Sequence, residues 1–190
     1  ILFFVIVICL VLFNYSRNLD VSVNYERFNL VAPGILRTPE DRFVDIKDYP
    51  FKSNYLTIGD TRIHYLDEGP KNGEVIYLLH GEPAWSYLFR KMIPTLTEEG
   101  YRVIAPDMVG FGKSDKYISI DDYSHQMHVD KMTQLITELD LKNITAHVHD
   151  WGGLVGLRVI AEVPDRFSRI IASNTSLIAP GRGFFKDLMS

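Results

Sequence analysis

The amino-acid sequence predicts an α/β protein built on a mostly parallel, doubly wound sheet, and three observations carry that expectation. Val75 to Leu79 is a short uninterrupted apolar run, the pattern of a strand buried on both faces. From Ser86 to Ser173, segments with helical periodicity alternate with short strand-like runs. Ahead of them, Ser53 to Ile58 and Thr61 to Asp67 flank Gly59-Asp60 as an antiparallel hairpin would. Repeated alternation of strand and helix requires right-handed crossovers and a parallel sheet covered by helices on both faces.

The elements follow in order. Residues 1–13 (ILFFVIVICLVLF) are uniformly apolar with no polar face at either period. As a helix they extend about 20 Å, short of the ~30 Å hydrocarbon core. The chain opens on Ile1 and not Met, so we expect earlier residues of the same segment, making 1–13 part of a signal-anchor or transmembrane helix. The following Asn14-Tyr15-Ser16-Arg17 offers no small-x-small cleavage site, which favours an anchor over a cleaved signal. Membrane association through residues 1–13, in a membrane or secretory-pathway location, is the expectation. Residues 14–42, punctuated by Pro33-Gly34 and Pro39, read as a connector with one short helix. The core is expected over 43–180. It begins with a strand at Phe43 to Asp48 and the hairpin, and continues through the strand Val75 to Leu79 and a helix at Ser86 to Glu99. There follow a strand Arg102 to Ala105, a helix Tyr123 to Leu139, a strand Ile144 to His149, a helix Gly153 to Glu162 and a strand Arg169 to Ser173. Residues 181–190 leave the sheet.

Composition narrows the function classes. With 190 residues, 46% of them hydrophobic, the chain can bury one sizeable core. Its net charge of −4 arises from interspersed acids and bases with no Lys/Arg block, which argues against a nucleic-acid partner. Cys9 is the single cysteine, so no disulfide can form within the chain.

In sheets of this kind, functional residues lie where loops leave the carboxyl ends of the strands. Three such loops carry unusual residues: His80-Gly81-Glu82-Pro83, Asp107 to Asp115, and His149-Asp150-Trp151-Gly152-Gly153. The third has the strand, tight turn and helix form of a nucleophile elbow, with Asp150 where Ser is more usual. A carboxylate there sits over a helix N-terminus, whose N–H groups favour the charged form, and it can attack carbon. The alternative is an Asp that does no more than cap the helix.

These loops resemble a known family. His80-Gly81-Glu82-Pro83 with Trp85, Pro106-Asp107 followed by Gly110-Phe111-Gly112-Lys113-Ser114-Asp115, and Asp150-Trp151-Gly152-Gly153 are similar to the haloalkane dehalogenases of the α/β-hydrolase fold. Epoxide hydrolases share His-Gly-x-Pro and Asp-Trp-Gly-Gly but more often place an aromatic residue at the position of Glu82. The resemblance covers about Phe43 to Gly181. It implies that Asp150 is the nucleophile, displacing halide from an alkyl carbon to leave an ester that activated water cleaves. It further implies that the backbone N–H groups of Glu82 and Trp151 form an oxyanion hole, and that the Trp151 indole N–H, a donor with no lone pair to repel an anion, binds halide. No metal or organic cofactor is implied, and the expected partner is a small-molecule substrate.

The chain also departs from that pattern. In this family the base His and its supporting acid lie well beyond the elbow, with a helical cap between them. We therefore expect the reading frame to continue past Ser190, the sheet being truncated before the cap and last strands. The residue after the strand ending at Ser173 is Asn174, so the supporting acid is expected later still. The six histidines do not fill the gap: His80 belongs to a turn motif, His147 and His149 share one strand face without a third ligand, His125 and His128 read as surface or partly buried, and His64 lies in the early hairpin. Gly112-Lys113-Ser114 resembles the end of a P-loop, but Asp107 stands where that motif needs Gly. The leading expectation is a hydrolase of carbon–halogen bonds. Its alternatives are an epoxide hydrolase using the same Asp150, and a membrane-anchored, catalytically inactive binding protein of the same fold.

Overall fold

The computed structural model describes residues 28–176, so the apolar segment 1–13 and the stretch 181–190 lie outside the described residues. The strands are β1 (Asn29–Ala32), β2 (Ile35–Arg37), β3 (Asn54–Ile58), β4 (Thr61–Glu68), β5 (Val75–Leu79), β6 (Arg102–Pro106), β7 (Lys116–Tyr117), β8 (Ile144–His149) and β9 (Phe167–Ser173). The helices are α1 (Met92–Glu98), α2 (His125–Glu138) and α3 (Trp151–Glu162). Among the described residues, no helix is long and apolar enough to cross a membrane.

The main sheet has the order β3-β4-β6-β5-β8-β9. β3 pairs with β4, and β4 with β6, antiparallel. From β6 onwards through β5, β8 and β9 the pairing is parallel. Strand β5 explains why both faces must be covered. Its residues alternate: Tyr77 and Leu79 join one core with Met132 and Ile136 of α2 and Val155 and Val159 of α3, while Leu78 joins a second with Phe89 and Ile93. A period of two along a strand whose residues are all apolar leaves no face for water.

Helix α2 shows how pattern becomes packing. Val129, Met132, Leu135 and Ile136 recur at helical spacing and are buried together. Its start is set by Ser124, whose hydroxyl accepts from the Met127 N–H at 3.0 Å. The segment expected as one helix at Ser86 to Glu99 is a 3-10 turn over Ser86–Phe89 followed by α1.

Two expectations are corrected. Phe43 to Asp48 is no strand: a 3-10 turn occupies Glu40–Phe43, and Asp45 and Asp48 adopt φ of 55° and 60°. Positive φ is incompatible with an extended run, and Asp is among the residues that tolerate it. The connector region holds more structure than expected, since β1 and β2 form a hairpin about Pro33-Gly34 and β2 pairs antiparallel with β7. A bidentate ion pair from Arg37 to Asp115, at 2.7 and 2.9 Å, fastens this small sheet to the loop after β6. Strands of two to four residues are too short for periodicity to reveal.

The chain leaves β5 for β6 on one side and then crosses to β8 on the other. That reversal opens a crevice at the carboxyl ends of β5 and β8. The loops 80–83 and 149–153 both emerge there.

Candidate active site

Asp150 immediately follows β8 and precedes α3, with φ 54° and ψ −126°. A non-glycine residue so placed costs on the order of 1–3 kcal/mol, which the surroundings must offset. Three backbone-directed hydrogen bonds do so. The Asp150 N–H donates to the Ser173 carbonyl at 3.3 Å, and the Asp150 carbonyl accepts from the Gly153 N–H at 2.9 Å and from the Thr175 hydroxyl at 2.8 Å.

The side chain does not cap α3. Its Oδ1 reaches across to the neighbouring loop and accepts the Glu82 N–H at 2.9 Å. Helix capping is therefore not what this Asp does. The approach is close enough that a Cβ on Gly81 would overlap the Asp150 carboxylate, so the β5 loop can sit here only with glycine at that position.

Trp151, the first residue of α3, is 41% exposed and forms a wall shared by two depressions. One, of about 390 Å³, is bounded by Glu82, Met108, Phe111, Tyr123, His128 and Trp151. The other, of about 280 Å³, is bounded by Asp150, Leu154, Asn174 and Thr175 as well as Trp151. The Glu82 side chain is exposed at the rim of the larger one.

Beneath these loops lies a buried scaffold. His80 has both ring nitrogens committed: Nε2 accepts the Met108 N–H at 3.0 Å, so Nδ1 carries the proton and donates to the Gly81 carbonyl at 2.8 Å. Burial lowers its pKa, outweighing the nearby Asp107 charge, and keeps the ring neutral. His80 thus links the β5 loop to the β6 loop, in keeping with a turn residue. Asp107 is fully buried and accepts from the Ser86 N–H at 2.7 Å, His64 Nδ1 at 2.8 Å and the Lys113 N–H at 2.9 Å. Burial alone would raise its pKa, but its hydrogen bond and charge interaction with His64 and the Lys113 N–H hold it below the usual carboxylate range. The Ser114 hydroxyl donates to the Asp107 carbonyl and accepts the His64 N–H. The Lys113-Ser114 pair that resembled a phosphate loop is thus spent on internal bonds.

No histidine among the described residues is hydrogen-bonded to Asp150. His147 Nε2 meets the Ser173 hydroxyl at 3.0 Å, and Nδ1 of both His147 and His149 is buried without a partner. Among the described residues, no group of three potential metal ligands assembles around them or elsewhere. His125 donates to the Leu154 carbonyl, joining α2 to α3. His128 lines the larger depression, and burial pulls its pKa down to about 4.

Sequence reasoning brought Glu82, Asp150 and Trp151 forward, and the structure brings Glu82 and Asp150 into direct contact. It missed Thr175 and the depression walled by Tyr123 and His128. The spacing of His125 and His128 at i and i+3 was the available signal that one face of α2 points two rings the same way.

Comparison with known proteins gives the family and the fold. Residues 74–187 match the alpha/beta hydrolase fold family model. The haloalkane dehalogenase of Psychrobacter cryohalolentis is 55% identical over 148 residues, 75% of this chain and 49% of that protein. Among solved structures, the tetrameric haloalkane dehalogenase of Paraglaciecola agarilytica superposes with a TM-score of 0.74 at 44% identity, covering 82% of this chain and 54% of that one. An epoxide hydrolase from Vigna radiata gives a TM-score of 0.66 at 25% identity, covering 73% and 45%. The chain spans about half the length of the curated relatives it matches. With the sheet order, the elbow and the family match in agreement, the chain belongs to the α/β hydrolase fold family and is similar to the haloalkane dehalogenases within it.

Proposed function

We propose that the protein cleaves carbon–halogen bonds of small haloalkanes through an ester on Asp150. With Oδ1 held by the Glu82 N–H, Oδ2 is the oxygen that attacks the halogen-bearing carbon. The new C–O bond forms as the C–halogen bond breaks, and its electron pair leaves with the halide. The Trp151 indole N–H receives that halide, and Oδ1 becomes the ester carbonyl oxygen. The Glu82 and Trp151 N–H groups then stabilise the oxyanion that forms when water attacks this ester. The observation that carries the reading is the Glu82–Asp150 hydrogen bond: the carboxylate is fixed by a donor from a different loop and is not engaged by the helix it precedes.

The test is to incubate the protein separately with a terminal bromoalkane and with a terminal epoxide, and to map adducts by mass spectrometry. Bromide release with an alkyl group on Asp150 is expected. A hydroxyalkyl ester from the epoxide, with no bromide from the bromoalkane, would shift the reading to epoxide opening by the same residue. No adduct from either reagent would leave a non-catalytic binding role.

The close approach at Gly81 yields a second expectation. In Gly81→Ala the added methyl displaces the carboxylate from the Glu82 N–H. Misplacing a reacting group by about 1 Å can cost 10²-fold, so alkylation should slow by about that factor in stopped-flow halide assays. A rate within twofold of wild type would show that this contact does not position the nucleophile.

A further inference from the structure

We infer that Thr175 is a positioning residue for the nucleophile elbow, acting by fixing the peptide between Asp150 and Trp151. The inference rests on the reading of Asp150 as nucleophile. The Thr175 hydroxyl donates to the Asp150 carbonyl at 2.8 Å. That carbonyl and the Trp151 N–H belong to one rigid trans peptide and point in opposite directions. Holding the oxygen towards the end of β9 therefore sets where the Trp151 N–H aims, and with it the start of α3.

The local chain is built to place this hydroxyl. Asn174 sits at φ 47°, and Asn is among the residues that tolerate this left-handed region. The turn it makes carries Thr175 back over the elbow just after Ser173 has accepted the Asp150 N–H. Both peptide units flanking Asp150 are thus gripped by one tripeptide, Ser173-Asn174-Thr175. Gly153 completes the fit, because a Cβ there would overlap the Thr175 side chain. Asn174 takes a backbone role here.

Thr175→Val keeps the side-chain shape and removes the donor. Expected is a roughly tenfold fall in the maximum rate of Asp150 alkylation by a bromoalkane, with the concentration dependence unchanged, as befits one hydrogen bond. Thr175→Ser, which restores the hydroxyl, should return the rate to within about threefold of wild type. A merely structural role would lower the unfolding midpoint and the alkylatable fraction, but not the rate of the folded fraction. Gly153→Ala is the second variant, expected to slow alkylation likewise because its methyl displaces Thr175. Wild-type rates in both Thr175→Val and Gly153→Ala overturn the inference, as does a Thr175→Ser rate no better than that of Thr175→Val. If the wild-type protein itself forms no ester, it is the assignment of Asp150 that fails.

Discussion

Asp150→Asn should reduce ester formation by about 10⁴-fold or more, the scale on which removal of a catalytic-triad residue is felt, while leaving the unfolding midpoint unchanged. A carboxamide oxygen can still accept the Glu82 N–H, and Asn shares with Asp a tolerance for positive φ, so the elbow keeps its shape. What is lost is the anionic oxygen that attacks carbon. Single-turnover halide release, followed with the mass of the Asp150 peptide, separates the two effects. Residual release above about 1% of wild type would mean that another group is alkylated. A large fall in the midpoint would mean that the residue serves stability first.

Legibility in the sequence tracked the length scale of each signal. Strands β5 and β8 and helix α2 could be read because burial imposes an apolar run or a helical period over five or more residues. Asp150 stood out because it lies between a strand and a glycine pair, where chain geometry and chemistry coincide. The bonds that make it a site were not legible, since each joins residues distant in sequence: Glu82 to Asp150, and Thr175 to the Asp150 carbonyl. His64 gave no hint of its partner for the same reason, Asp107 lying a full strand pair away. Phe43 to Asp48 misled because its apolar residues look like a strand, while two aspartates turn the backbone left-handed.

Asp107→Ala should have the largest effect on stability. It leaves the Ser86 N–H, the Lys113 N–H and His64 without their acceptor in a fully buried site. Breaking a buried pair by removing one partner costs about 3–5 kcal/mol, or roughly 10 °C in midpoint for a chain of this size. The sign of the pH dependence follows from the lowered pKa. The ionised carboxylate contributes stability fully above the unfolded value of 3.8, and this is lost as pH falls through the lower folded value. The gap between wild type and variant, measured by denaturant titration, should therefore be constant from pH 5 to 7 and narrow below about pH 4. A gap under about 1 kcal/mol at neutral pH, or one that widens in acid, would show that the three donors find other partners.

The position of β5 between β6 and β8 has a consequence for how the molecule comes together. Within the main sheet, only β3 and β4 are joined by a local turn. The pairing that matters for Asp150 brings residues 76–79 beside 145–148, and β9 must then dock on β8. Such pairings close long loops before they yield any contact energy, and topologies of this kind fold slowly. Asp150 therefore acquires Glu82 and Thr175 as neighbours only after the chain has bridged that distance. A folding intermediate with the β3–β4 hairpin and its helices formed would contain the carboxylate but hold it no more firmly than an ordinary surface aspartate.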